Sequence, residues 1–162
     1  MRQIHNLKPI YNNESKILIL GSFPSIISRT NNFYYENKIN RFWKVLEVIF
    51  NTHLVLKEEK ISFLLNNNIA LWDVINSCEI NNSSDSSIKN VIPNDIGLII
   101  EKSNVKTIFT NGKKAYNLYK RYLSKSLDIN VISLPSTSSA NASYSLEQLI
   151  KEYKVVLEYL KK

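Results

Sequence analysis

The side chains best suited to chemistry lie between a short buried strand and the helix that follows it. Tyr34 and Tyr35 are adjacent, and Asn40 comes five positions after Tyr35. Aromatic rings offer a stacking surface to a flat ligand, and a carboxamide can both donate and accept hydrogen bonds. The apolar run Ile17–Leu20, ending in Gly21, precedes this group. Because open α/β sheets build sites at the carboxyl ends of their strands, the arrangement predicts a pocket for a nucleobase or a similar planar molecule.

Polar residues follow two further apolar runs. Asn111 and Lys113 come directly after one of them, where a helical pattern opens. Asn111 could read the edge of a base, and Lys113 could contact a phosphate beside the helix N-terminus. Asp73 follows another run. It could orient a catalytic group or cap a turn, and we interpret it as a turn cap.

The elements that must position these residues read as an alternation of strands and helices. The four apolar runs predicted to be buried strands are Ile17–Leu20, Ile69–Trp72, Thr107–Thr110 and Val131–Leu134. Helical spacing of apolar residues fills the gaps, and the last helix is expected from Ser145 to Leu160. Asn94 is expected to cap a helix, and 81–90 is expected to be a loop. The alternation predicts an α/β/α sandwich around a four-stranded parallel sheet, with residues 1–162 as one domain.

Composition limits the partners that the chain can take. Lys and Arg number 21 against 14 Asp and Glu, a formal net charge of +7. This excess fits either a negatively charged partner or a simply basic surface. With one cysteine and two histidines, neither a zinc site nor a four-cysteine cluster is expected, so the sequence predicts no metal and no cofactor. No apolar run approaches the ~18 residues of a membrane helix, and a cytoplasmic location is expected.

Three motifs in order carry a family resemblance. They are Gly21-Ser22-Phe23-Pro24-Ser25 with Asn40-Arg41-Phe42-Trp43, then Leu71-Trp72-Asp73-Val74-Ile75, then Leu134-Pro135-Ser136-Thr137-Ser138-Ser139-Ala140-Asn141. Together they resemble the uracil-DNA glycosylase superfamily, and within it the hypoxanthine-DNA glycosylase branch. The resemblance implies a monomeric, monofunctional enzyme that hydrolyses the bond between a deaminated base and its sugar in double-stranded DNA. A uracil or mismatch glycosylase remains an alternative, as does a nucleic-acid or nucleotide binding module that kept the fold without the chemistry.

The resemblance also implies roles for individual residues around the base. Asn40 is the expected catalytic residue, although its place just before a helix also fits an N-cap. Tyr35 is expected to stack on the flipped base, whereas Tyr34 is read as a core residue. Ser22 and Phe23 are expected to line the base pocket with Asn111. Other branches place Asp or Asn at the position of Phe23 to handle the attacking water, and this difference favours the hypoxanthine branch.

The third motif resembles the loop that enters the duplex and holds the phosphates. Its hydroxyls and backbone N–H groups suit phosphate contact, although a polar loop without a function is the alternative. The expected DNA contacts are Ser136, Ser138, Ser139 and Lys113.

Overall fold

The computed structural model describes residues 2–81 and 84–162. In chain order the strands are β1 (Arg2–Ile4), β2 (Ile17–Gly21), β3 (Ile69–Asp73), β4 (Ile75–Glu79), β5 (Lys89–Pro93), β6 (Thr107–Asn111) and β7 (Asn130–Leu134). The helices are α1 (Ile26–Asn31), α2 (Phe42–Ile49), α3 (Lys57–Asn66), α4 (Ile96–Lys102), α5 (Lys113–Tyr122), α6 (Leu146–Tyr153) and α7 (Val155–Leu160). A short 3-10 turn spans Asp85–Ser87. None of the helices in these two ranges is long and apolar enough to cross a membrane.

The central sheet has four parallel strands in the order β3-β2-β6-β7. Both β2 and β3 are buried along their whole length, as expected for strands covered on both faces. Gly21 pairs with Asp73, and Asn111 pairs with Leu134. The carboxyl ends of all four strands therefore meet at one edge of the sheet. The predicted four-stranded parallel sheet flanked by helices is confirmed, and each strand lies within one residue of its predicted bounds.

The helices follow the apolar spacing of the sequence, with two differences. The helix expected from Ser145 to Leu160 is divided into α6 and α7. Leu157 N–H bonds to the Lys154 carbonyl at 3.0 Å, a tighter turn than the α-helical ladder. Helix α1 lies between the first predicted strand and Asn40, where no helix was predicted, and Ser25 caps it by accepting a hydrogen bond from Ser28 N–H.

A second, antiparallel sheet of order β1-β4-β5 was not predicted. Gln3 pairs with Cys78 across β1 and β4. Strand β5 begins inside the stretch 81–90 that was expected to be a loop, of which residues 82 and 83 lie outside the described residues. This sheet was not predicted because β1 has only three residues and because β4 and β5 mix polar with apolar residues, so that none of them forms an apolar run. The expected cap role of Asn94 is wrong, because its amide donates to the carbonyls of Asp73 and Ile75 instead.

Candidate active site

A pocket of about 160 Å³ opens where the carboxyl ends of the parallel strands meet. A cavity of about 150 Å³ holds one benzene molecule, so the pocket has room for at least one aromatic ring. The lining residues are Gly21, Ser22, Phe23, Pro24, Ser25, Ser28, Tyr34, Tyr35, Asn37, Asn40, Asp73, Asn111, Ser136, Thr137 and Ser138. Seven of the nine sequence-predicted site residues are thus brought together, while Ser139 and Lys113 lie outside the lining.

Tyr35 is held against the pocket by an unusual backbone conformation. Its φ is 53°, in the left-handed region that few non-glycine residues adopt. The ring stacks on Phe42 with centroids 4.0 Å apart and an interplanar angle of 21°, and Phe42 is fully buried in the core. One face of the Tyr35 ring is therefore supported by the core beside the pocket, the arrangement that a stacking platform needs. Its stacking on a base remains a prediction.

Tyr34 faces the core, as the sequence analysis expected. It is 3% exposed. Its hydroxyl donates to the Lys8 carbonyl at 2.7 Å, and its own carbonyl accepts from Trp43 Nε1–H at 3.0 Å. Burial raises the pKa of Tyr34, and the nearby charge of Asp73 raises it further. Tyr34 therefore stays a neutral part of the pocket wall.

A partly buried hydrogen-bond network forms the wall that carries Asn40. The Oδ1 atom of Asn40 accepts from Phe42 N–H at 2.9 Å and from the Thr137 hydroxyl at 2.8 Å. Asn111 Nδ2 donates to Thr137 Oγ1 at 3.0 Å, and Thr137 N–H donates to Asn111 Oδ1 at 3.0 Å. The Tyr153 hydroxyl lies 2.9 Å from the same Asn111 oxygen. The network joins the start of α2 to the ends of β6 and β7.

The pocket lining also includes a carboxylate held by a histidine. Asp73 Oδ2 lies 2.8 Å from His5 Nε2, and both side chains are buried, at 5% and 1% exposure. Leu7 N–H donates to His5 Nδ1 at 3.2 Å, so Nδ1 is an acceptor and Nε2 carries the proton given to Asp73. A Cβ at Gly21 would clash with Asp73 Oδ1 and lie 2.9 Å from the Tyr35 hydroxyl, so a larger residue here would displace both side chains. His5 was missed, because nothing in the sequence links it to a residue 68 positions away.

Phe23 and Ser22 complete the wall around this carboxylate. Phe23 is 8% exposed and meets the His5 ring edge-on, with centroids 6.1 Å apart. The Arg29 guanidinium lies over the Phe23 ring, 5.2 Å from its centroid. The Ser22 carbonyl accepts from Ile75 N–H at 3.2 Å, where β3 passes into β4. Both residues line the pocket, where an aromatic ring and a hydroxyl could contact a base.

Arg41 holds the loop of the third motif against the rest of the site. Its guanidinium donates to four loop carbonyls, those of Thr137, Ser138, Asn141 and Tyr144. The Ser136 and Ser138 hydroxyls accept from loop N–H groups two residues further on. Ser139 is exposed, and Lys113 is exposed at the first turn of α5. With four carbonyls bound to Arg41, the loop keeps Ser136 and Ser138 in the pocket lining, and hydroxyl and backbone N–H groups suit contact with phosphate. The sequence analysis assigned Arg41 no function.

Comparison with known proteins identifies the class to which this fold and pocket belong. The family model described as the Uracil DNA glycosylase superfamily matches residues 9–161. The chain belongs to the uracil DNA glycosylase superfamily. It is therefore a DNA glycosylase, an enzyme that hydrolyses N-glycosyl bonds in DNA, and this confirms both the resemblance and the predicted enzyme class.

Two relatives and one solved structure are similar to this chain over much of its length. A hypoxanthine DNA glycosylase of Methanosarcina acetivorans is 34% identical over 139 residues, which cover 84% of this chain and 87% of that protein. A hypoxanthine DNA glycosylase of Methanosarcina barkeri is 31% identical over 110 residues, covering 66% and 70%. The solution NMR structure of a candidate uracil DNA glycosylase from Methanosarcina acetivorans matches with a TM-score of 0.84 at 30% identity, covering 100% of both chains.

Proposed function

We propose that this chain is a monofunctional, single-domain glycosylase that acts as a monomer and removes hypoxanthine from double-stranded DNA. The observation that carries the proposal is the pocket itself, which places the supported ring of Tyr35, the Asn40 amide and the buried Asp73 carboxylate around a space of about 160 Å³. Two relatives named hypoxanthine DNA glycosylase support the choice of base. Phe23, at the position where other branches carry a water-handling Asp or Asn, supports it further.

Asp73 supports a deaminated base in particular. Deamination of adenine to hypoxanthine replaces a ring-nitrogen acceptor by an N–H donor. His5 holds one oxygen of Asp73, and an ionised carboxylate can only accept. A flipped base is read by hydrogen bonds to its pairing edge. Asp73 would therefore accept from the N1–H of hypoxanthine and repel the N1 lone pair of adenine. Sites built to bind an N–H reject analogues that lack it, by up to about 10⁴–10⁵-fold.

Asn40 would act where the bond breaks. As the base departs, negative charge develops on it, and a fixed donor lowers the barrier by stabilising that charge. The Nδ2 group of Asn40 is such a donor, on a side chain that lines the pocket. None of the lining residues in the described ranges is a lysine. This supports hydrolysis by water without a Schiff-base intermediate.

The test is cleavage of matched duplexes carrying hypoxanthine, xanthine or uracil, measured side by side under single-turnover conditions. We expect hypoxanthine to be excised fastest, leaving an abasic site without strand cleavage. Fastest release of uracil would replace the proposal by the uracil or mismatch alternative. Salt-sensitive binding to DNA with no cleavage of any of these bases would favour a non-catalytic binding module.

A further inference from the structure

We infer that Thr137 and Asn111 are positioning residues that lock the Asn40 carboxamide in one of its two flipped orientations, with its oxygen inward and its NH₂ group facing the pocket. The inference rests on the proposed function, since it gives the Asn40 NH₂ group its orientation. A carboxamide has nearly the same shape in both orientations. Only its hydrogen-bond partners can decide which atom meets the ligand.

The direction of the network is set by backbone N–H groups, which can only donate. Thr137 N–H fixes Oδ1 of Asn111 as an acceptor. Asn111 Nδ2 must then be the donor to Thr137 Oγ1, 3.0 Å away. The Thr137 hydroxyl accepts that bond, so its single proton is free to go to Asn40 Oδ1 at 2.8 Å. Phe42 N–H independently fixes the same Asn40 oxygen.

The oxygen of the Asn40 carboxamide therefore accepts two hydrogen bonds, and its NH₂ group is available to a ligand. Among the described residues no hydrogen bond from Asn40 Nδ2 is present, although the side chain lines the pocket. Turning the amide over would set its NH₂ group against the Phe42 N–H, a donor–donor contact, and would leave the Thr137 hydroxyl proton without its acceptor. Both effects oppose that orientation, so the NH₂ group is presented to the ligand before it binds.

Burial strengthens the far end of the network. Thr137 and Tyr153 are both fully buried, where hydrogen bonds are electrostatically stronger than in water. Burial also raises the pKa of Tyr153 well above its ordinary range. Its hydroxyl remains protonated, 2.9 Å from Asn111 Oδ1 and 2.7 Å from the Pro135 carbonyl oxygen. The single proton of Tyr153 can go to only one of these two oxygens at a time, so Thr137 N–H remains the donor that fixes Oδ1 of Asn111 as an acceptor.

The first test compares Thr137→Val with Thr137→Ser. Both keep the backbone bonds of residue 137 to Asn111 and Arg41, but valine removes the hydroxyl that donates to Asn40. We expect Thr137→Val to lower the single-turnover excision rate of hypoxanthine roughly five- to tenfold, the factor that one net hydrogen bond corresponds to. Affinity for an uncleavable duplex should stay unchanged, and Thr137→Ser should restore the rate. Equal excision rates for Thr137→Val and wild type would overturn the inference.

The second test, Asn111→Asp, removes the hydrogen-bond donor of residue 111 and keeps the size of its side chain. In Asn111→Asp the introduced carboxylate cannot donate to the Thr137 hydroxyl. The Thr137 hydroxyl then donates its proton to this carboxylate instead of to Asn40, and the Asn40 carboxamide is free to flip. A protonated carboxyl donates again. We expect a rate at least about tenfold below wild type at neutral pH, recovering as the pH falls toward the ordinary Asp pKa of about 3.9. The Tyr153 hydroxyl contacts residue 111, and its raised pKa keeps it neutral over this range. The neighbouring charged group is Arg41, which acts electrostatically on Tyr153 and donates to the Thr137 carbonyl.

Asn117→Asp provides the matched control, because it makes the same change on the exposed side of α5. It should show no acid recovery relative to wild type. An Asn111→Asp profile parallel to that of wild type would overturn the inference. If wild type itself does not excise hypoxanthine, the proposed function fails. The positioning role is then judged by NMR, where the Asn40 side-chain NH₂ signals should respond to Thr137→Val but not to Thr137→Ser.

Discussion

Replacing Asp73 by asparagine should turn a hydrogen-bond acceptor in the pocket wall into a donor. His5 cannot change its donor, because Leu7 N–H occupies Nδ1 and leaves the proton on Nε2. The introduced amide must therefore turn its oxygen to His5 and its NH₂ group to the ligand. A base that carries N1–H would then meet a donor where it needs an acceptor. Hypoxanthine should become a poor substrate, while a base with an N1 lone pair should lose much less.

The magnitude follows from the burial of the pair. Asp73 is 3% exposed, so water cannot replace the lost acceptor. A hydrogen bond to a charged group contributes about 1.5–3 kcal/mol, and an unsatisfied buried donor costs about 1–3 kcal/mol. Taking about 3 kcal/mol for the combined effect gives roughly a 150-fold loss of kcat/KM for hypoxanthine. The fold should survive, since the amide oxygen still accepts from His5.

The assay compares single-turnover excision of hypoxanthine with that of unsubstituted purine, whose N1 is an acceptor, in the same duplex. The Asp73→Asn variant should lower the ratio of the two rates by about two orders of magnitude. Asp95→Asn is the control, because Asp95 is exposed and its side chain makes no capping hydrogen bond. An unchanged ratio in a folded Asp73→Asn protein would refute the base-reading role. Equal losses on both bases would indicate that Asp73 acts on the attacking water instead.

Three further predictions concern residues that the sequence analysis selected. Asn40→Ala should lose most single-turnover cleavage, about 2.7–4 kcal/mol of barrier, with DNA affinity retained; a folded variant that turns over like wild type would leave Asn40 only its capping bond. Tyr35→Ala should weaken capture of the base by roughly 1–3 kcal/mol, and Tyr35→Phe should be mild in the same assay; loss of activity in Tyr34→Ala instead would reassign the stacking ring. Lys113→Ala should reduce the slope of log affinity against log salt by about one, whereas Lys120→Ala at the other end of α5 should not; identical slopes for both variants would remove Lys113 from the DNA contacts.

The parallel sheet could be predicted because each of its strands is a short apolar run. Burial on both faces requires such runs, and the residue that follows each run is placed at one edge by the topology alone. Gly21, Asp73 and Asn111 therefore reach the same pocket in the structure, as the positions after three predicted strands. The role of a residue at that edge could not be predicted in the same way, because it depends on which of its polar atoms already form hydrogen bonds within the protein.

The second sheet and the His5 contact could not be predicted, for a physical reason. Strand β1 has three residues and an alternating exposure that many loops share, so its pattern carries little information. Its pairing with β4 is what brings His5 beside Asp73. From the sequence alone, Asp73 is interpreted as a turn cap, because a carboxylate after a strand often accepts hydrogen bonds from nearby backbone N–H groups. Only the distant histidine distinguishes a fixed acceptor from an ordinary cap.

Asn40 shows why the capping and catalytic interpretations of one residue need not compete. The sequence allows both, because the residue precedes a helix and also stands in a motif. In the structure Asn40 lies one residue before Arg41, the N-cap of α2, and the two proposed roles would use different atoms of its carboxamide. The oxygen takes Phe42 N–H, an orphan donor of the first turn of α2, and the nitrogen is left for the pocket. The capping bond is then one of the two contacts that orient the proposed catalytic donor, so weakening it should lower activity as well as stability.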